Sequence, residues 1–227
     1  MKADIKEVVE LAKMEDRLED APFYVVHTNI FCMTAEKDIV PAELSLAKLS
    51  LREGVQSIDK VYGEVYQVFI EPGPVPRGYL GDCLANSKAT HKIPLDFHSF
   101  VGDYKRIIED ILEILMEEDK GLPPIYCMPK HITQNRLVLE WLIDKSGTDL
   151  IAKEELRLYS LPDLLHQMTR ASDVDTSLDT STASSVSSVS LVRNRVPTVA
   201  LAEAQLDRDT FMLMPRMSCS WHTEVQE

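Results

Sequence analysis

The chain has 227 residues, 44% of them apolar, and a formal net charge of −13. That length holds one domain with a sizeable core, or one domain with tails. The negative charge argues against broad, non-specific binding to nucleic acid, which needs clustered Lys and Arg, but it leaves a local basic groove open. No apolar run is long enough to cross a bilayer, so no membrane association is expected. The first twenty residues lack the apolar centre of a secretory signal, so a cytoplasmic or nuclear location is expected. The cysteines are Cys32, Cys83, Cys127 and Cys219, none in a CxxC pair, so a disulfide framework is not expected. Cys32 and Cys127 fall in apolar runs and read as core residues.

Residues 5–18 have the spacing of a short charged amphipathic helix, within a leader over residues 1–21. Residues 23–32 are rich in β-branched and aromatic side chains, which predicts a strand. A charged turn follows at 34–38. Pro41 suits a strand start because it has no N–H to donate, and residues 43–51 make the second strand. Leu44 and Leu46 share one face there, and Leu49 and Leu51 the other. The change of phase at Ala47 and Lys48 predicts a bulge, or a strand buried on both faces. Glu43 stands out as a carboxylate at the mouth of this apolar strand. Residues 62–70 predict a third strand and complete an antiparallel meander.

Residues 73–96 are dense in Pro, Gly, Asn and Ser and read as loop. Asp103 is a fitting N-cap for a helix with Tyr104, Ile107, Ile108, Ile111, Leu112 and Leu115 on one face. A short buried strand is expected at 125–128. Thr133 then caps a helix that ends near Gly147. A strand is expected at 156–161, and Pro162 opens a final helix. Three strands, a helix, then strand–helix–strand–helix predict an α/β fold over residues 22–170. This is a mixed sheet with helices packed on it, the ribonuclease-H-like arrangement. Residues 171–190 are mostly Ser, Thr and Asp and bury too little to offset their ordering entropy, so a flexible insert is expected over 171–195. Residues 196–227 return to the domain and end near Cys219-Ser220-Trp221-His222.

Ribonuclease-H-like nucleases cut phosphodiesters with two divalent metals held by carboxylates. In the exonuclease branch the first strand supplies an Asp and a Glu two residues apart. Here that strand reads Tyr24-Val25-Val26-His27-Thr28-Asn29, and the nearest acids, Asp20 and Glu36, fall outside it. The usual two-metal site is therefore not expected, and no catalytic residue is assigned. Cys219 and His222 offer a thiolate and an imidazole, both typical zinc ligands. The pair reads either as part of a zinc site, with Glu43 and His91 as candidates to complete it, or as an exposed tail. His91 alone reads as a loop histidine satisfied by backbone groups. His27 reads as a core or groove histidine, and His98, His131 and His166 as solvated. Arg77, Tyr79, Lys88, Lys92, Lys105 and Arg106 lie near the loop and the helix start. They read either as a local groove for a nucleic-acid backbone with an aromatic platform, or as scattered surface charge.

Six stretches resemble the Maelstrom domain family, in that family's order: Ile39-Val40-Pro41-Ala42-Glu43-Leu44, Ser50-Leu51-Arg52-Glu53-Gly54-Val55, Ile70-Glu71-Pro72-Gly73 with Pro76-Arg77-Gly78, Thr90-His91-Lys92-Ile93-Pro94, Pro123-Pro124-Ile125-Tyr126-Cys127, and the Cys219 to His222 ending. The resemblance implies a ribonuclease-H-like fold of exonuclease ancestry that has lost the nuclease carboxylates. It also implies a structural zinc site made of a Glu, a Cys, a His and a second Cys. Glu43, Cys219 and His222 match the first three. The second Cys would fall beyond Glu227, so the zinc site is expected to be one ligand short. His91 matches a further family histidine, structural or near the site. The family implies piRNA-mediated transposon silencing in the germline with Piwi-pathway proteins, in cytoplasmic perinuclear nuage and in the nucleus. It also implies single-stranded RNA binding and a weak ribonuclease activity outside the usual motif. Many members begin with an HMG box, for which residues 1–21 are too few, so DNA binding through that box is not expected. Two other readings stand beside an RNA-binding module. One is an endoribonuclease using His27, His91 or Glu43; the other is a protein-interaction scaffold without RNA binding.

Overall fold

The computed structural model describes residues 2–56, 58, 65–116 and 121–173. Cys219, His222 and most of the expected insert lie outside the described residues. The sheet lies within the compact unit formed by residues 1–167.

Phe23–Met33 forms strand β1 and Ile39–Ser50 strand β2, paired antiparallel. Their turn is closed by Thr34, whose Oγ1 accepts from the Asp38 N–H at 3.0 Å. Pro41 lies inside β2 rather than at its start. It faces Ile30, on both sides of which the register shifts. A residue without an N–H fits there because the bulge already interrupts the ladder. The register slips at Ala42, the extra residue in β2, and returns at Phe31, the extra residue in β1; it does not slip at Ala47 and Lys48, which pair regularly with Val25 and Tyr24. Residues 39–44 are buried throughout, so this half of β2 is covered on both faces.

Gly54–Gln56 (β3) and Val65–Phe69 (β4) pair antiparallel with different stretches of β2. β3 is an addition to the expected meander; Gly54, at φ 80°, lets the chain turn back into it. Lys2–Met14 forms helix α1, which buries Ile5, Val9 and Ala12. The stretch expected as loop contains a helix, α2, at Leu80–Ala89. Only Cys83 and Ser87 of α2 are buried, so it carries no apolar stripe from which a helix could be read. Tyr104–Leu115 forms α3 as expected, with the Asp103 side chain accepting from the Arg106 N–H at 3.0 Å.

Ile125–Cys127 (β5), Ile132–Ser146 (α4), Leu158–Ser160 (β6) and Leu161–Asp173 (α5) follow in the expected order. A 3-10 turn, Pro129–His131, precedes α4 and places His131 rather than Thr133 at its N-cap. Gly147, at φ 61°, takes the left-handed position that closes α4.

The six strands form one mixed sheet in the order β3-β2-β1-β5-β6, with β4 also on β2. β5 is parallel to both β1 and β6. Alternate residues such as Tyr24, Val26, Leu44, Leu46 and Val68 build the core with Ile107 and Ile111 of α3 and Val138 and Leu142 of α4. Burying one such aliphatic side chain stabilises by about 1.5–3 kcal/mol, so packing of its stripe holds α3. The opposite face carries His27, Asn29, Ser45, Gln67 and Phe69, all half-buried, and the buried Glu43. Near β6 that face meets α1, where the Tyr159 hydroxyl donates to Asp4 at 2.7 Å.

Candidate functional site

β1 and β5 are parallel neighbours whose chains leave in opposite directions. β1 turns back into β2, while β5 leads through α4 to β6. In open α/β sheets such a divergence leaves a crevice beyond the strand ends where ligands bind. Pairing of β1 with β5 is recorded only at Tyr24 and Val25, yet β1 continues to Met33. Carbonyl groups along the remainder of β1 are met by side chains. Asn135 of α4 donates to the Val26 carbonyl at 3.2 Å, and Gln134 to the Thr28 carbonyl at 2.6 Å. Asn86 of α2 donates to the carbonyls of Ile30 at 2.8 Å and Phe31 at 3.2 Å. The Thr28 hydroxyl in turn donates to Asn135 Oδ1 at 2.7 Å, fully buried.

His91 belongs to this set. Its Nδ1 accepts from the Ile93 N–H at 3.1 Å, so the proton sits on Nε2, which faces the Ile30 carbonyl at 3.2 Å. Both ring nitrogens are thus engaged, and the ring packs edge-on against Phe31 with centroids 5.2 Å apart. The geometry is that of a brace between the segment after α2 and the β1 bulge.

On the other face a polar row crosses the strands. Asn29 donates to Glu43 Oε2 at 2.8 Å, and the Gln67 amide donates to Oε1. Glu43 is 3% exposed. Burial pushes its carboxyl upward from the usual range, and the two amides oppose that shift. Among the described residues these amides are its hydrogen-bond partners, and no cation accompanies them. Next in the row, His27 is lowered to about 4, first by burial and then by its neighbour His131, with a hydrogen bond to Asn29 working against both. His27 Nε2 is buried and makes no hydrogen bond among the described residues.

His131, expected to be solvated, is half-buried and stands edge-on to His27 with ring centroids 5.1 Å apart. The turn before α4 carries it there, a placement that one strand's sequence does not encode. His98 and His166 are exposed, as expected.

The six expected RNA-facing residues occupy two places. Arg77, Tyr79, Lys88 and Lys92 lie on α2 and its flanks, with Arg77, Lys88 and Lys92 exposed. The Tyr79 hydroxyl accepts from the Ala35 N–H at 3.2 Å. Lys105 and Arg106 lie on α3, where Glu109 at 3.8 Å and Asp110 at 2.7 Å pair with them along the helix. Gln134 and Asn135 escape sequence reading altogether, because nothing in a helix pattern marks an amide that replaces a strand. Among the described residues no helix is long and apolar enough to cross a membrane.

A mixed six-stranded sheet, a β1 without carboxylates and a row of imidazole and amide groups beside the buried Glu43 define an α/β domain. The family model described as "Maelstrom: piRNA pathway germ-plasm component" matches residues 32–227, and the chain belongs to that family. It is 25% identical to the protein maelstrom homolog of Culex quinquefasciatus over 224 residues, 97% of this chain and 39% of that protein. Identity to protein maelstrom of Drosophila simulans is 34% over 133 residues, 57% of this chain and 32% of that protein. Identity to the protein maelstrom homolog of Mus musculus is 27% over 130 residues, 57% of this chain and 27% of that protein. The chain thus spans 39% or less of the length of these three relatives.

Proposed function

We propose that this domain is a ribonuclease-H-like module of exonuclease ancestry that binds single-stranded RNA and Piwi-pathway proteins in piRNA-mediated transposon silencing. The observation that carries this reading is the sheet order taken with its first strand. β2 runs antiparallel between β1 and β4, β1 is parallel to β5, and His27 and Asn29 stand two residues apart on one face. An exonuclease has its paired carboxylates at that spacing. Imidazole and amide groups are poor ligands for magnesium-type ions, which take oxygen donors. They can instead exchange hydrogen bonds with bases, beside the half-buried ring of Phe69. Backbone contacts fall to the exposed Arg77, Lys88 and Lys92. The family's description as a germ-plasm component favours perinuclear granules, with the nucleus as the second location.

Fluorescence polarisation with a labelled single-stranded RNA at low salt tests the reading. Binding should weaken at least tenfold when Arg77, Lys88 and Lys92 are all changed to Ala, about one lost contact's worth of salt slope each. Unchanged affinity would remove these residues from the interface. An unmodified chain that does not bind RNA would favour the protein-interaction scaffold.

The reading includes a structural zinc held by Glu43, Cys219 and His222. Glu43 suits that role because its carboxylate is buried without a cation among the described residues, and two amides orient it as outer donors orient metal-bound carboxylates. Bound zinc would neutralise that charge. Metal analysis of the purified chain should find zinc, and less of it after Glu43→Gln; a zinc content unchanged by Glu43→Gln would remove this carboxylate from the ligand set.

A second reading, an endoribonuclease, rests on the His27 Nε2, buried and without a hydrogen bond among the described residues, beside His131; a neutral general base would need RNA binding to uncover it. RNA cleavage that survives chelation and vanishes in His27→Ala would replace the first reading with this one.

A further inference from the structure

Cys32 lies near the end of β1 and Cys83 in the first half of α2. Their Sγ atoms face each other at 2.9 Å. Both thiols are free and buried, 7% and 0% exposed. That separation lies between a covalent disulfide, about 2.05 Å, and an ordinary contact of two sulfur atoms. Neither thiol takes part in the polar row or in the proposed zinc set.

The elements that carry the two sulfurs are pinned independently. Asn86, one turn beyond Cys83, holds the Ile30 and Phe31 carbonyls, and His91 holds Ile30 from the segment after α2. Facing thiols on pinned elements have a high effective concentration, so a second bond between these elements closes without chain search. We propose that Cys32 and Cys83 form a reversible modification site, in which a peroxide-class oxidant closes a disulfide that clamps α2 to β1.

The chemistry balances. One sulfur attacks a peroxide oxygen and breaks the O–O bond, giving a sulfenic acid while hydroxide leaves and is protonated to water. The second sulfur attacks the sulfenic sulfur and forms the S–S bond, and the sulfenic oxygen leaves as water with the second thiol's proton. Two thiols and one peroxide thus become one disulfide and two waters. Burial selects a small oxidant. Burial, then Cys32 and Asp82, push the Cys83 thiol up to about 12, so little thiolate is present and closure is slow. A thiol of that kind also leaves poorly, so the closed bond resists reduction.

Hydrogen peroxide titration of the whole chain, followed by peptide mapping, tests the proposal. The exposed Met14, 85% accessible, calibrates the dose through its sulfoxide. The expected product is one Cys32–Cys83 cross-linked peptide, reversed by dithiothreitol. The Tm of the treated chain should rise by about 5–10 °C, and α2 amides should exchange about tenfold more slowly. Treated Cys83→Ser should show neither change. Finding both thiols still free once Met14 is fully oxidised would overturn the proposal, as would separate sulfinic acids or a cross-link to Cys127 or Cys219. The map on the unsubstituted chain decides the matter even where the Ser variant does not fold.

Discussion

Asn135 offers the sharpest test of how this sheet is held. It is 0% exposed, donates to the Val26 carbonyl at 3.2 Å and accepts from the Thr28 hydroxyl at 2.7 Å. Asn135→Ala leaves a carbonyl and a hydroxyl buried without those partners. An unsatisfied buried group costs about 1–3 kcal/mol, so the pair should cost about 2–6 kcal/mol. That is a large share of the 5–15 kcal/mol typical of a folded domain. At about 2–4 °C per kcal/mol for a chain of this size, the Tm should fall by about 4–24 °C, read by circular dichroism and checked by urea midpoint. Thr28→Val removes the hydroxyl that would be orphaned, so the double variant should lose about 1 kcal/mol less than the two single losses together. A loss below about 0.5 kcal/mol, the range of neutral surface changes, would refute the claim that side chains stand in for a strand here. So would strict additivity of the two substitutions.

Three further outcomes follow from the same geometry. His27 is held near pKa 4 against an ordinary 6.5, so the folded state refuses a proton that the unfolded chain accepts. Its contribution is complete above pH 6.5 and is lost as pH falls toward 4, on the order of 3 kcal/mol; half-buried His131 is shifted in the same direction. Glu43 is raised and works oppositely, contributing below 4.5 and losing its part as pH rises through its folded value. Urea unfolding across pH 4–7 should therefore show a shallower acid loss in His27→Gln, and an unchanged profile would show that burial of this ring is not the cause. His91→Ala should cost about 1–3 kcal/mol by urea midpoint, because the Ile93 N–H loses its acceptor; a neutral result would reassign His91 away from bracing. Ile111→Ala, in the α3 stripe, should cost about 2–5 kcal/mol, whereas Lys105→Ala, paired only at the surface, should stay within about 0.5 kcal/mol.

What could be read from the chain was what repeats with a local period. The α3 stripe, the Asp103 cap and the β-branched run of β1 each signal their element within a dozen residues. α2 could not be read this way. Cys83 and Ser87 alone face inward, and its place depends on Asn86 reaching a strand fifty-odd residues away. The bulge was legible as a need but not as a position: Pro41 shows that a ladder bond must be missing, while the register that places the gap at Ile30 is set across strands. The same limit applies to the polar row. Glu43 was conspicuous as a lone carboxylate, but Asn29 and Gln67 become its donors only through antiparallel pairing with β1 and β4. His131 reaches His27 only once β5 lies beside β1 and a 3-10 turn redirects the chain.

The side chains along the outer half of β1 have a consequence for how the molecule behaves among its own copies. A stretch of strand without a neighbour is a template on which another chain's strand can grow. Here Asn135, Gln134, Asn86 and His91 occupy carbonyls that an incoming strand would need. Because amides and an imidazole do this work, β5 can remain three residues long without leaving β1 adhesive. Loss of one of these groups would then show first as a tendency to aggregate, before any change at the polar face.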